Sequence, residues 1–199
     1  MEDALADWER FHHEDVPLPT LVRCALLHYQ FETIHPFLDG NGRLGRLLIV
    51  FFLVEQGVLP SPLLYLSSYF EQRRREYTER LQAVRERGEL EQWLNFFLRG
   101  VEAQAADAVH RAERLADLRE RYRKALAGSR SRAPEVVDLL FENPYATGPT
   151  VAARLGISVQ GAKYLLDQLE AQRIVARYDM AGSRRRGWIA DEVLQTVAG

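Results

Sequence analysis

Between two apolar helical segments, residues 35–46 read His-Pro-Phe-Leu-Asp-Gly-Asn-Gly-Arg-Leu-Gly-Arg, and this stretch constrains the chain more than any other. Pro36 biases His35 away from the α region, so His35 stands just beyond the preceding helix. The glycine-flanked turn that follows leads into a second helix, whose N-terminus presents free N–H groups and the positive end of a dipole. Gly40 and Gly42 admit φ > 0 and a close approach of an anion to the backbone. Twelve residues thus combine a proton acceptor, a carboxylate, a permissive turn and two fixed cations, a set suited to a nucleoside triphosphate with its Mg²⁺.

Each side chain has a distinct chemical capacity. His35 can take and return a proton near neutral pH, which makes it the candidate general base. Asp39 offers the hard oxygen that Mg²⁺ prefers. Asn41 supplies an amide donor and tolerates unusual backbone angles. Arg43 and Arg46 lie three apart on the first turn of the following helix and share a face, where their guanidinium groups can grip phosphates bidentately. Phe37 reads as a core anchor for the loop. Singly, each residue has an ordinary structural explanation as a cap, a turn or a solvated face; the combination at fixed spacing is what points to a site.

The pattern His-Pro-Phe-x-[Asp/Glu]-Gly-Asn-Gly-Arg-x-x-Arg resembles the signature of Fic-domain proteins, and the chain matches every fixed position of it. The resemblance implies a mainly α fold, with a Fic-type helical core followed here by a small winged-helix domain. It also implies transfer of AMP from ATP to a Ser, Thr or Tyr hydroxyl of a target protein. In its terms His35 is the base, Asp39 holds Mg²⁺, and Gly40, Asn41 and Gly42 form the anion hole. Arg43 and Arg46 then bind the outer phosphates. Gly42 favours nucleotidyl transfer, because the related Doc kinases carry Lys there. Segment 63–82 is similar to the helix that follows the motif helix in Fic proteins with a C-terminal winged domain, with Tyr77 near the nucleotide and Thr78 where many relatives have a second Tyr.

The rest of the chain reads as helix up to Gly128. Glu2–Glu14 is a first segment, and a second runs from Thr20 through Phe31 with Leu21, Val22, Ala25, Leu26 and Tyr29 on its apolar face. The motif helix extends from Arg43 to Gln56, and its apolar run Leu47–Val54 reads as buried on several sides. That run is far short of the ~20 residues that span a bilayer. Trp93, Phe96 and Phe97 fall at helical spacing and read as core within a long charged helix over 89–127. The single cysteine, Cys24, sits in an apolar helix and reads as a buried small hydrophobe, with a reducing cytoplasm as its natural compartment. The composition shift at Gly128–Pro134 sets a domain organisation of 1–127, a linker at 128–133, and 134–199.

Residues 134–199 carry a helix-turn-helix pattern. A helix opening at Thr150 stops at Gly156, and Ser158 caps the next one, which runs to Ala171. Two strands, Ile174–Tyr178 and Arg186–Ile189, flank a turn at Ala181–Ser183, the arrangement of a winged helix. Arg184–Arg186, with Gln160 and Lys163, would place DNA among the partners, and a DNA-binding regulator with an inactive or nucleotide-sensing Fic remnant is the alternative function. Seven basic against eight acidic groups in this segment, a net charge of −1, argue against it.

Two family features are missing. No strand-turn-strand signal for a target-positioning flap precedes His35, and the inhibitory pattern [Ser/Thr]-x-x-x-Glu-[Gly/Asn] has only a near match at Glu142–Asn143, with Asp138 in place of Ser or Thr. The reading is therefore of an N-terminally truncated Fic core with impaired activity, whose uncovered apolar surface invites instability or association, a homodimer being one such form.

Overall fold

The computed structural model describes residues 2–60, 64–128, 131–179 and 186–198, with Arg186 described by its backbone alone. The chain packs as two compact units, Met1–Ala108 and Val109–Gly199.

Unit 1 is helical. Helices α1 (Glu2–His13), α2 (Thr20–Ile34) and α3 (Asn41–Glu55) are followed by α4 (Leu66–Gln72), α5 (Arg74–Arg87) and the start of α6 (Leu90–Ala125). Pro19 fixes an extended entry to α2, and Gly88 in the left-handed region closes α5. The core forms around Trp93, Phe70, Phe97, Ile49 and Leu53, all fully buried. Two indoles tie α2 into it through its own carbonyls. Trp93 Nε1 donates to the Ala25 carbonyl at 3.1 Å, and Trp8 Nε1 to that of Leu27 at 2.8 Å. Each satisfies a polar group that burial would otherwise penalise.

The motif helix begins at Asn41, two residues early, because the Gly40 carbonyl already accepts from the Leu44 N–H. Leu47–Val54 is buried on one side only: Ile49, Phe52 and Leu53 are inside, while Leu47 and Phe51 are exposed. The inward face of α2 is Cys24, Ala25, Leu27, His28 and Phe31; of the expected set only Ala25 is fully buried, while Leu21, Val22, Leu26 and Tyr29 are half-buried. Within the described part of segment 63–82 there are two helices, parted at Arg73, whose ψ of 33° breaks the helical path without Gly or Pro. Burial of Cys24 pushes its thiol up to about 12, so it behaves as a hydrophobe.

Unit 2 contains the rest of α6, then α7 (Ala133–Glu142), β1 (Tyr145–Ala146), α8 (Gly148–Leu155), α9 (Val159–Ala171), β2 (Ala176–Asp179), β3 (Arg186–Ile189) and α10 (Asp191–Ala198). The sheet is antiparallel with strand order β1-β3-β2, and Trp188 pairs with both Ala146 and Arg177. Gly156 ends α8 at φ 63°, and the Ser158 hydroxyl caps α9 by accepting from the Gly161 N–H at 3.1 Å. The core joins Val136, Val137 and Leu140 of α7 to Leu165, Leu166 and Leu169 of α9. Leu118, Tyr122 and Leu126 belong to the same core. The later part of α6 therefore packs with unit 2, and the units divide at Ala108 where composition alone set the boundary at 127. The turn at 181–183, Arg184 and Arg185 lie outside the described residues.

Candidate nucleotide site

The site is built where α2 ends and α3 begins. His35 caps α2 at φ 49° and ψ 59°, and its N–H donates to the Phe31 carbonyl at 3.0 Å. A left-handed non-glycine residue is strained, and such strain is concentrated at functional positions. The imidazole is exposed. Gly40, at φ 83°, is the N-cap of α3 and needs glycine's freedom. Gly42 has no such angle. A Cβ there would lie 3.1 Å from Arg46 Nη1, so the Arg46 guanidinium would have to give by a few tenths of an ångström.

Asn41 does not offer its amide to a ligand. It is buried, accepting from the Phe37 N–H at 2.9 Å and donating to the Phe37 carbonyl at 2.6 Å. This two-point latch fixes the turn through the backbone of Phe37, so its ring is not needed as an anchor and is 51% exposed. The Phe37 expectation is thus corrected. What Asn41 can give an anion is its backbone N–H, which with those of Gly42 and Arg43 precedes the first bond of α3.

Asp39 is 93% exposed in its side chain. One carboxylate oxygen accepts from the Gly40 N–H at 2.7 Å, and the other lies 3.5 Å from Arg43 Nη2. So exposed a pair contributes little to stability and is easily rearranged by an incoming ion. The carboxylate oxygen is of the donor type that Mg²⁺ takes, so the residue fits that cation.

A cleft of about 450 Å³ brings these groups together: His35, Asp39, Gly40, Asn41, Gly42, Arg43 and Arg46 line it with Glu32, Arg74, Tyr77 and Thr78. Two buried polar atoms of these lining residues, Arg46 Nε and Glu32 Oε1, have no hydrogen-bond partner. Buried atoms in that state are unusual and mark where a ligand or water completes the structure.

Beneath the cleft lies a buried network that the motif does not reveal. His28 Nδ1 is 3.2 Å from the Gly45 carbonyl and Nε2 is 2.9 Å from the Tyr77 hydroxyl. A carbonyl only accepts, so Nδ1 carries the proton and Tyr77 donates to Nε2. Burial lowers the His28 pKa to about 4, with Arg46 acting in the same direction, so the ring is neutral. Burial also raises the Glu32 carboxyl, against the opposing pull of Arg46 and His35. Glu32 was missed in the sequence although a signal exists: it follows His28 by four residues and so shares the inward face of α2.

Residues 1–53 match the Fic/DOC family. The match takes in 53 of the 199 residues. It ends within α3, so it contains His35, Asp39 and both arginines, while Tyr77 and Thr78 lie beyond it. The chain is 40% identical over 55 residues to a protein of Aquifex aeolicus named "Probable protein adenylyltransferase", a match covering 28% of this chain and 16% of that one. It is 53% identical over 36 residues to the protein adenylyltransferase Fic of Drosophila grimshawi, covering 18% and 8%. The chain thus matches less than a fifth of the length of either relative. A Fic family protein of Desulfovibrio desulfuricans shares the fold, with a TM-score of 0.50 and 21% identity over 95% of this chain and 54% of that one.

In unit 2, Arg154 pairs with Glu142 at 2.6 Å, and Arg177 pairs with Asp167 and Glu170 at 2.6 and 2.9 Å. These cations are engaged within the unit. Among the described residues no helix is long and apolar enough to cross a membrane.

Proposed function

We propose that the chain carries the nucleotide site of a protein adenylyltransferase, which moves AMP from Mg-ATP to a Ser, Thr or Tyr hydroxyl of a target protein. His35 takes the hydroxyl proton as the target oxygen attacks the α-phosphorus. The bond from that phosphorus to the bridging oxygen of the β-phosphate breaks, and pyrophosphate leaves. The N–H groups at the start of α3 and the Arg43 and Arg46 guanidinium groups stabilise charge on the phosphates. Asp39 is the residue that would hold Mg²⁺, which supplies further charge neutralisation on the phosphate oxygens. Tyr77 borders the nucleotide from α5. Unit 2 we read as a winged helix-turn-helix domain, on the α8–turn–α9 pair and the β2–β3 hairpin.

The observation that supports this reading is the convergence of an exposed base, an exposed carboxylate and two arginines on one cleft at a helix N-terminus. The test is calorimetric titration with Mg-ATP alongside an assay of AMP transfer. His35→Ala should abolish transfer and keep most of the ATP affinity, because the base faces the hydroxyl. Arg46→Ala should weaken ATP binding about tenfold or more, the value of one charge-assisted contact. Equal loss of ATP affinity in His35→Ala, or unchanged affinity in Arg46→Ala, would overturn the assignment.

A further inference from the structure

Away from the cleft, His12 and His13 in the last turn of α1 meet Glu55, the last residue of α3. One donor atom from each lies within 4.8 Å of the others. His12 Nε2 is 2.9 Å from Glu55 Oε2. The His12 ring is held on three sides: stacked on Trp8 at 5.6 Å, edge-on to Phe52 at 5.6 Å, and edge-on to His13 at 4.7 Å. Its backbone is fixed as well, since the Arg23 guanidinium donates to the carbonyls of Phe11 and His12. Nδ1 of the same ring is buried without a hydrogen-bond partner, so Nε2, which faces Glu55, is the ring nitrogen that can reach an ion. His13 and Glu55 are exposed, so the cluster is open to an ion from solvent. A cavity of about 440 Å³ that these three residues help to line adjoins it.

We propose that His12, His13 and Glu55 form a binding site for a divalent transition ion of the Zn²⁺ class, which fastens the end of α1 to the end of α3. The donor chemistry selects the ion. Two imidazole nitrogens and one carboxylate oxygen suit Zn²⁺ and its neighbours, whereas Mg²⁺ and Ca²⁺ require oxygen sets. Three protein ligands leave a fourth position for water, which the open side of the cluster admits. Zn²⁺ at about 2.0–2.1 Å from each donor sets tetrahedral donors roughly 3.4 Å apart, between the 2.9 Å of the His12–Glu55 pair and the 4.8 Å that bounds the whole set. The exposed His13 and Glu55 side chains can close the remaining gap without moving either helix. Helix α1 has a use for such a clamp, since it contributes no fully buried residue.

The experiment uses the whole chain, stripped with a chelator and titrated with Zn²⁺ against a chromophoric competitor. Hydrogen exchange of the α1 amides is followed in parallel. One equivalent should bind, with affinity reduced at least tenfold in His13→Ala and in Glu55→Gln and unchanged in His35→Ala. Millimolar Mg²⁺ should not displace it. Exchange in α1 should slow on Zn²⁺ addition in the wild type and in His35→Ala, and stay constant in the other two variants. Both altered side chains are exposed, so these variants fold. Failure to bind one equivalent, or affinity unchanged in His13→Ala and Glu55→Gln, overturns the proposal. Loss of binding in His35→Ala would also overturn it by moving the ion to the cleft, and none of these results bears on AMP transfer.

Discussion

Replacing His28 with Gln tests the buried floor of the cleft through its pH dependence. Folding lowers the pKa of His28 from 6.5 to about 4, so the unfolded chain holds a proton there that the native protein does not. The stability tied to the neutral ring is fully present above pH 6.5. It is lost as the pH falls toward 4 and does not change further below that. At 1.36 kcal/mol for each pH unit, the interval amounts to about 3 kcal/mol. The ring stacks on Phe70 at 5.7 Å and on Trp93 at 6.0 Å, which would favour a cation by about 1 kcal/mol, while Arg46 disfavours it. The expected net loss is therefore about 2–3 kcal/mol. Gln is uncharged throughout and can accept from the Tyr77 hydroxyl. The Glu32 carboxyl, which burial raises, gains stability as pH falls, the opposite sign, and is present in both proteins. Urea unfolding followed by tryptophan fluorescence between pH 7.5 and 4 gives the comparison. The wild type should lose about 2–3 kcal/mol more than His28→Gln across that range. Curves parallel to within about 0.5 kcal/mol would refute a neutral buried His28.

Two further substitutions probe the units separately. Trp93→Ala removes a fully buried indole together with its bond to Ala25 and should cost unit 1 about 3–5 kcal/mol; thermal unfolding checks it, and a drop under about 4 °C would contradict the packing described. Arg173 closes α9 at φ 58°, a conformation that costs a non-glycine residue about 1 kcal/mol. Arg173→Gly should raise the stability of unit 2 by about 0.5–1 kcal/mol in urea unfolding, and a loss would show that the arginine side chain makes a compensating contact.

What the sequence discloses is chemistry that acts over a few residues. The turn at 35–46, the Gly156 stop and the Ser158 cap all follow from backbone freedom or a nearby hydroxyl, and the structure forms each one. The motif likewise brings His35, Asp39, Arg43 and Arg46 to one cleft. Elements defined by distant partners are not disclosed. Strand β1 is two residues long and exists because Tyr145 and Ala146 pair with Ile189 and Trp188. The break at Arg73 has no glycine or proline to announce it. Asn41 reads as a ligand in isolation but is consumed by the Phe37 backbone. The His28–Tyr77 bond spans 49 residues, and no local pattern links its ends. Helix α10 does carry a local signal, because Asp191 and Glu192 open an amphipathic segment there, and acidic residues favour a helix start.

In the proposed reaction His35 takes the proton of a protein hydroxyl as that oxygen attacks the α-phosphorus of ATP. Incubating the chain and a cell extract with Mg-ATP, labelled in parallel at the α- or the γ-phosphate, tests it most directly. The account predicts protein-bound label from the α-position only, absent when His35→Ala replaces the wild type. Label from the γ-position, or α-label that persists in His35→Ala, would contradict it.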